Sequence, residues 1–181
     1  MPISDLAIGR GWVDSHCHLD QLPHQSDCLS QASMAGIAHF VLPSTDAQQW
    51  ASASQLSSTQ IFPAYGTHPW FVVNPELEEQ NLRSFLKDHM AVAVGEIGLD
   101  FYKANQPRPE PQLQLDCFER QLLVAQEFHL PIIVHSVKAH QDTIRLLKKF
   151  DARGVVHAFS GSYEMAADYL DLGFKLGIGP Q

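Results

Sequence analysis

The strongest constraint on the fold is the regular alternation of short apolar runs with segments of helical periodicity. We predict strands over residues 11–17, 37–42, 61–65, 91–97, 131–135, 154–159 and 174–179. Helices are predicted between them, over residues 25–36, 46–57, 76–89, 112–128, 138–150 and 163–172. Nearly continuous apolar strands that alternate with helices are typical of a parallel sheet covered on both faces. The chain is therefore predicted to be an α/β protein.

Two α/β architectures accommodate this order of elements, an open doubly wound sheet and a (β/α)8 TIM barrel. The sequence has no GxGxxG motif and no P-loop after an early strand, which weakens the nucleotide-binding version of the open sheet. Polar residues instead recur where the predicted strands end, and in a barrel those ends meet at one mouth. We therefore predict a TIM barrel that occupies residues 1–181 as a single domain, incomplete at about seven strands because the eighth is missing.

Histidines and a glutamate stand at the ends of the predicted strands. His16 and His18 come at the end of the first strand, where side chains two residues apart point to the same face. The other residues in such positions are His68, Glu96, His135 and His157. Glu96 follows a purely apolar run, where a buried carboxylate is costly unless it is paired or binds a metal. Each residue alone has an ordinary structural explanation, but together they favour a shared metal site.

The predicted ligands combine imidazoles with a carboxylate and include no thiolate. Such a set suits Zn, Mn or Fe, and also Mg where carboxylate and water dominate. Four histidines and one glutamate exceed what a single four-coordinate ion needs. Two divalent ions bridged by Glu96 are the simplest arrangement, and such a pair activates a shared water and stabilises the oxygens of an in-line displacement. The pattern therefore predicts hydrolysis, especially of phosphate esters.

Composition limits the partners and the compartment of the protein. The net charge of −8 argues against a basic surface that holds nucleic acid by charge alone, so metal ions must supply much of the positive charge at a phosphodiester. Cys17, Cys28 and Cys117 are an odd number without metal-type spacing, as expected of reduced thiols. No apolar run approaches the ~18 residues of a membrane span, and residues 1–10 do not resemble a signal peptide. We predict a cytoplasmic protein with no membrane partner and no obligate protein partner.

Five motifs, in their order and spacing, closely resemble the TatD family of metal-dependent deoxyribonucleases within the amidohydrolase-like superfamily. They are DSHCHLD (residues 14–20), GTHPW (66–70), GEIGLDFY (95–102), LPIIVHS (130–136) and GVVHAFSGS (154–162). The resemblance covers nearly the whole chain and implies a (β/α)8 barrel that hydrolyses DNA with magnesium or other divalent metals. It also implies that His16 and His18 bind one ion, that Glu96 bridges, and that His135 and His157 bind the second ion.

The resemblance implies substrate-facing roles for three further residues. His68 would lie close to the metal site, in a catalytic role at the substrate phosphate or a bound water. Asp100 would contact the substrate or support the metal ligands. Lys138 is expected to bind substrate, since the neighbouring Val137 stands where the family commonly has an arginine. An arginine fork grips phosphate in a way that lysine does not fully replace, so a weaker grip on the substrate is expected.

A second departure concerns the end of the sequence. Family members continue further and carry a Glu-Thr-Asp motif near strand eight, whose aspartate completes the first metal site, whereas this sequence ends at Gly179-Pro180-Gln181. The ion at His16 and His18 is therefore expected to bind more weakly than the second ion. An unclosed barrel would also leave the first and seventh strands as open edges, which lowers stability and invites pairing with other chains.

Three functions remain in competition. The leading one is a two-metal phosphodiesterase that acts on DNA, from an end or on single strands. The second is another reaction of the amidohydrolase type, on amides, esters or lactones. Many relatives with that chemistry use a carboxylated lysine on strand four, where this chain has Glu96, which favours the phosphodiesterase. The third is an inactive, metal-binding remnant of a longer enzyme.

Overall fold

The computed structural model describes residues 11–103 and 107–179. Its centre is a parallel sheet in which each strand pairs with the next one along the chain. The strands are β1 (Trp12–Asp14), β2 (Ile37–Pro43), β3 (Ile61–Tyr65), β4 (Ala93–Asp100), β5 (Ile132–Val137), β6 (Gly154–Val156) and β7 (Lys175–Leu176). Within the described residues the order never reverses, so the sheet has no switch point of the doubly wound kind. The prediction of an incomplete TIM barrel is confirmed.

Helices connect successive strands and cover the outer face of the sheet. They are α1 (Gln25–Met34), α2 (Ala47–Gln55), α3 (Pro75–Asp88), α4 (Pro111–Glu127), α5 (His140–Leu147) and α6 (Tyr163–Asp171), with a short 3-10 helix at Leu19–Gln21. Several begin at the residues that favour a helix start: Asn74 caps α3 through its side chain and Pro75 follows it. None of the described helices is long and apolar enough to cross a membrane. The first ten residues, where no signal peptide was expected, lie outside the described part of the chain.

Three predicted strands are longer than the strands in the structure. Strands over 11–17, 154–159 and 174–179 were expected, but β1, β6 and β7 have only three, three and two residues. The polar residues at the ends of these runs leave the sheet early and turn toward the mouth of the barrel. His16 and His18 therefore lie in the loop after β1, and His157 lies in the turn after β6. Of the expected metal ligands, Glu96, on β4, and His135, on β5, are the two that lie within strands of the described sheet.

Two apolar clusters stabilise the sheet from opposite faces. The larger one lies between the strands and the helices, since it combines strand residues such as Val94 and Val134 with helix residues such as Leu122. The smaller one lies on the concave face, since its buried members all come from strands: Ala64, Ala93 and Ile133. Burial of this kind is the main favourable term in folding. The two clusters fix the curvature that brings the strand ends together.

One glycine allows β4 and β5 to approach closely beside Glu96 and His135. Gly98 pairs with His135 and has a φ of +138°, in the left-handed region that other residues avoid. A β-carbon at this position would lie 2.0 Å from the carbonyl oxygen of His135. Only glycine therefore fits, and the close pairing places the side chains of Glu96 and His135 within reach of each other.

Candidate metal centre

Residues that lie within or follow β1, β3, β4, β5 and β6 converge at the C-terminal ends of the strands. The structure brings together all five residues expected as metal ligands, which are His16, His18, Glu96, His135 and His157. His68, expected in a catalytic role, joins the same cluster from the loop after β3. The mouth of a TIM barrel is where such residues gather, because the strands run parallel and end at one face.

Glu96 lies at the centre of this cluster and is only 3% exposed. Its Oε1 lies 3.0 Å from Nδ1 of His135 and 3.8 Å from Nε2 of His68. Its Oε2 lies 3.2 Å from Nε2 of His16 and 3.9 Å from Nε2 of His18. The two oxygens of one carboxylate thus face two different sets of imidazoles.

The cluster divides into two groups that share this carboxylate. His16, Glu96 and His157 form the outer group, and His68, Glu96 and His135 form the inner group; in each, the possible ligand atoms lie within 4.8 Å of one another. The rings of His16 and His157 stack at a centroid distance of 3.5 Å, and those of His68 and His135 lie 4.3 Å apart. These neighbours differ from the pairs His16–His18 and His135–His157 that the resemblance implied. Which imidazoles share an ion stays a prediction.

Electrostatics distinguish the imidazoles from one another. Burial would raise the pKa of Glu96, but hydrogen bonds from neighbouring imidazoles hold it well below its usual range. Burial would lower the pKa of His135, yet its hydrogen bonds to Asp100 and Glu96 raise it to about 9. Burial and nearby imidazoles lower the pKa of His68 to about 3 and that of His157 to about 4. Without a metal, the two carboxylates favour the protonated form of His135, which must release its Nδ1 proton to bind an ion, whereas His68 and His157 favour the neutral form.

The hydrogen bonds of His68 favour one tautomer. The backbone N–H of Trp70 donates to its Nδ1 at 3.2 Å, so this nitrogen is an acceptor. In a neutral imidazole the other nitrogen then carries the hydrogen. Nε2 of His68 therefore presents an N–H toward Glu96, which suits a hydrogen-bond donor rather than a metal ligand.

Asp100 is engaged with the protein itself. Its Oδ1 accepts a hydrogen bond from the backbone of Tyr102, and its Oδ2 lies 2.5 Å from the indole nitrogen of Trp70 and 3.3 Å from Nε2 of His135. Burial would raise its pKa, but the hydrogen bonds from His135 and Trp70 lower it to about 2. A carboxylate behind a histidine is the arrangement that fixes the tautomer of a metal-binding imidazole.

Residues of this kind fit a divalent cation. The Nε2 atoms of His16 and His18 lie 3.3 Å apart and face the same carboxylate oxygen. Among the described residues, neither Nδ1 atom of these two rings has a hydrogen-bond partner. Imidazoles and a carboxylate without thiolate are the ligands of Zn, Mn or Fe. A cation bound by the two Nε2 atoms would give these closely spaced nitrogens a common partner. It would also compensate the buried negative charge of Glu96.

Lys138 lies away from this cluster. It directly follows β5, is exposed, and lines a surface cavity with Ser160, Gly161 and Ser162. In the part of the chain that the structure describes, Lys138 forms no ion pair. Its predicted contact with substrate stays a prediction.

Two buried glutamines on α4 were not anticipated from the sequence. Gln121 binds both backbone groups of Thr67, accepting from its N–H at 2.7 Å and donating to its carbonyl at 3.0 Å. Gln114 does the same with Asp100, at 2.8 and 3.0 Å. The β3–β4 ladder ends at Tyr65, so these amides replace strand partners just before His68 and at the end of β4. Their sequence signal is faint: two amides seven residues apart on an otherwise apolar helix face.

The curled parallel sheet and the cluster at its mouth define a metal-dependent hydrolase of the TIM-barrel type. The chain belongs to the TatD-related DNase family, whose model matches residues 13–181. This assignment confirms the resemblance of the five motifs and the prediction that the protein is a metal-dependent hydrolase.

Relatives of known sequence and structure agree with this assignment. The metal-dependent hydrolase YjjV of Escherichia coli K12 is 35% identical over 93% of this chain and 68% of its own. The crystal structure of YjjV superposes with a TM-score of 0.81, covering 91% of this chain and 66% of that one. A human protein named as a 3′-5′ RNA nuclease, TATDN2, is 31% identical over 96% of this chain and 25% of its own. An amidohydrolase from Saccharomyces cerevisiae shares the fold alone, at 17% identity and a TM-score of 0.75 over 94% of this chain and 68% of that one. The chain spans about two thirds of the length of YjjV.

Proposed function

We propose that the chain is a divalent-metal-dependent phosphodiesterase that acts on DNA, with two ions bound around Glu96. The observation that supports this most directly is the division of one buried carboxylate between two sets of imidazoles, with His135 at Oε1 and His16 at Oε2. A shared carboxylate suits a pair of ions better than a single one. The family name and the nuclease name of the human relative favour nucleic acid as the substrate.

The ligands of the two ions would be His16, His18, Glu96, His135 and His157. When bound, Mg²⁺, Mn²⁺ or Zn²⁺ would act as a Lewis acid and lower the pKa of a coordinated water. Glu96 stays ionised near neutral pH and would hold both ions at once. Asp100 accepts from Nε2 of His135 and would thereby direct Nδ1, the nitrogen beside Glu96, toward the metal.

His68 would act on the substrate rather than on the metal. Its Nδ1 accepts from the backbone of Trp70, which leaves the hydrogen on Nε2 at the side of Glu96. We assign this N–H to a hydrogen bond with a phosphate oxygen or with the attacking water. A neutral donor suits this task, because the lowered pKa of His68 keeps the ring uncharged across the physiological range.

The proposal is tested with metal-stripped protein and an end-labelled single-stranded oligodeoxynucleotide. Added Mg²⁺, Mn²⁺ or Zn²⁺ should restore release of nucleotides, and the Glu96→Gln variant should lose it while keeping its fold by circular dichroism. Glu76→Gln, at an exposed position of α3, is the matched control and should retain activity.

Two outcomes would overturn the proposal. Hydrolysis of lactones, carboxylic esters or amides without cleavage of DNA would place the chain in the wider amidohydrolase chemistry. Stoichiometric metal by mass spectrometry without any hydrolysis would identify a metal-binding chain that is not itself an enzyme.

A further inference from the structure

Trp70 is an exposed aromatic residue that is nevertheless fixed beside the metal centre. It is 42% exposed, yet its indole nitrogen lies 2.5 Å from Oδ2 of Asp100. Its ring meets the imidazoles of His68 and His135 edge to face, at centroid distances of 5.0 and 6.3 Å. Exposed tryptophans are usually free to change rotamer, whereas this one is held at both its backbone and its indole nitrogen.

Arg108 packs on this ring. Its guanidinium carbon lies 3.7 Å from the centre of the Trp70 ring, within the range of a cation–π interaction. Its Nε is buried and has no hydrogen-bond partner among the described residues. Arg83, Arg120 and Arg145 each form an ion pair with a carboxylate, but Arg108 forms none with any described residue. Among the described residues, no carboxylate therefore pairs with its positive charge.

A guanidinium without a carboxylate partner among the described residues is unexpected in a protein with so many acidic residues. The protein has 20 acidic residues against 12 lysines and arginines. Because the chain as a whole is negatively charged, a phosphodiester that binds at the metal centre needs a positively charged side chain near the mouth of the barrel. Arg108 offers that charge, and Trp70 next to it offers an aromatic surface. Aromatic side chains combined with arginine are the usual means of binding single-stranded nucleic acid.

We propose that Trp70 and Arg108 form a nucleotide clamp for single-stranded DNA: the indole stacks with an unpaired base and the guanidinium binds a neighbouring phosphate. The clamp rests on the proposed function, because it supplies the substrate for the metal centre beside it. Single strands are preferred, because a base must leave the duplex stack before it can pack on the indole. Asp100 is then a positioning residue that orients Trp70 through its indole nitrogen.

Binding measured in the absence of metal tests the clamp separately from catalysis. Affinity for a fluorescein-labelled oligodeoxynucleotide, measured by anisotropy in EDTA, should fall roughly 5- to 150-fold in Trp70→Leu, the range expected for loss of one base stack. Trp70→Phe keeps an aromatic ring without the bond to Asp100 and should fall less. Trp12→Leu removes an exposed tryptophan on β1 and is the matched control, with an expected change below twofold.

Salt dependence tests Arg108 in particular. Each phosphate contact to a single strand contributes about 0.7 to the slope of log affinity against log salt. Arg108→Met should reduce the slope by about that amount. Arg145→Met removes the same charge from an exposed ion pair on α5 and should leave the slope unchanged. Unchanged affinity in Trp70→Leu, or an unchanged slope in Arg108→Met, would overturn the clamp.

Cleavage then distinguishes failure of the clamp from failure of the proposed function. The loss in kcat/KM of Trp70→Leu and Arg108→Met should be at least fivefold larger on the oligodeoxynucleotide than on bis(p-nitrophenyl) phosphate, which has a single phosphate and no neighbouring nucleotide for the clamp to bind. Equal losses on both substrates would mean that these residues act only through the metal centre, and the clamp would be wrong. A wild-type chain that cleaves neither substrate refutes the proposed function, while the binding measurements still decide the clamp.

Discussion

The inner and outer groups share one carboxylate but differ in how the protein holds their imidazoles. In the inner group, His135 contacts two carboxylates, Glu96 at 3.0 Å and Asp100 at 3.3 Å, and His68 accepts a hydrogen bond from the backbone. In the outer group, Nδ1 of His16 is buried without a partner among the described residues, and the ring rests on His157 at 3.5 Å. Both ring nitrogens of His135 face carboxylates, whereas His16 reaches Glu96 through Nε2 alone and otherwise stacks on His157.

The difference follows from the elements that carry each group. The inner residues sit on β4, on β5 and on the loop after β3, which α4 ties down through Gln114 and Gln121. The outer imidazoles sit on loops that follow the three-residue strands β1 and β6. A ligand that is already oriented by hydrogen bonds loses less freedom when it binds a metal. We therefore expect the ion held by Glu96 and His135 to bind more tightly than the ion held by Glu96 and His16.

The largest expected difference is in metal affinity, after one imidazole is removed from each group in turn. His135→Ala should lower metal affinity by more than ~100-fold, beyond the usual loss for a group that only supports a ligand. His16→Ala should cost less, because His18 still places its Nε2 3.9 Å from the same oxygen of Glu96 and remains as a ligand. Metal content measured by mass spectrometry against graded chelator concentrations checks this. Equal losses in the two variants would contradict the proposed difference between the groups.

The hydrogen bond between Asp100 and His135 can be weakened without changing any predicted metal ligand. Asp100→Asn retains the size of the side chain but replaces the carboxylate that faces Nε2 of His135. Metal affinity and kcat should both fall by about 10- to 100-fold, the usual effect of losing such a partner. Asp14→Asn is the counterpart in the outer region, where, among the described residues, the side chain accepts a hydrogen bond from the backbone N–H of His16 and from no other group. A drop in the Asp14 variant as large as that in the Asp100 variant would show that the two regions are supported equally.

The two buried glutamines on α4, Gln114 and Gln121, are expected to have a smaller effect, on the stability of the fold. Gln121→Ala and Gln114→Ala each leave two buried backbone groups without their partner, which should cost about 1–3 kcal/mol in the free energy of unfolding. Gln112→Ala, at an exposed position of the same helix, should stay within about 0.5 kcal/mol of wild type. Urea denaturation of the metal-free proteins measures all three. Gln114→Ala and Gln121→Ala variants as stable as Gln112→Ala would mean that water replaces the amides.

The sequence allowed the fold and the members of the site to be predicted, but not their partners. Periodicity placed Glu96 and His135 on adjacent parallel strands, and parallel strands end at one face. The stacking of His16 on His157 brings together the first and sixth βα units across the mouth, a distance set by the curvature of the sheet. No local pattern encodes that curvature. The positions of Gln121 and Arg108 depend on side-chain contacts between loops and α4, which periodicity along the chain does not specify either.

A histidine outside both groups provides the smallest expected effect and a check on the acid sensitivity of the fold. His140 is buried on α5, where its Nδ1 lies 3.1 Å from the hydroxyl of Tyr169, and burial lowers its pKa below the usual value of 6.5. The unfolded chain therefore binds a proton at a higher pH than the folded chain does. Stability that is fully present above pH 6.5 should be lost as the pH falls below that value.

The variant His140→Gln can still bond to Tyr169 but cannot titrate, so its loss of stability on acidification should be shallower than that of wild type. The free energy of unfolding measured from pH 8 to pH 5 in urea gives the difference between the two curves. Because both proteins retain the inner and outer groups, the titration of those imidazoles cancels in the difference. Parallel curves over this range would mean that His140 takes up a proton as readily in the folded chain as in the unfolded one.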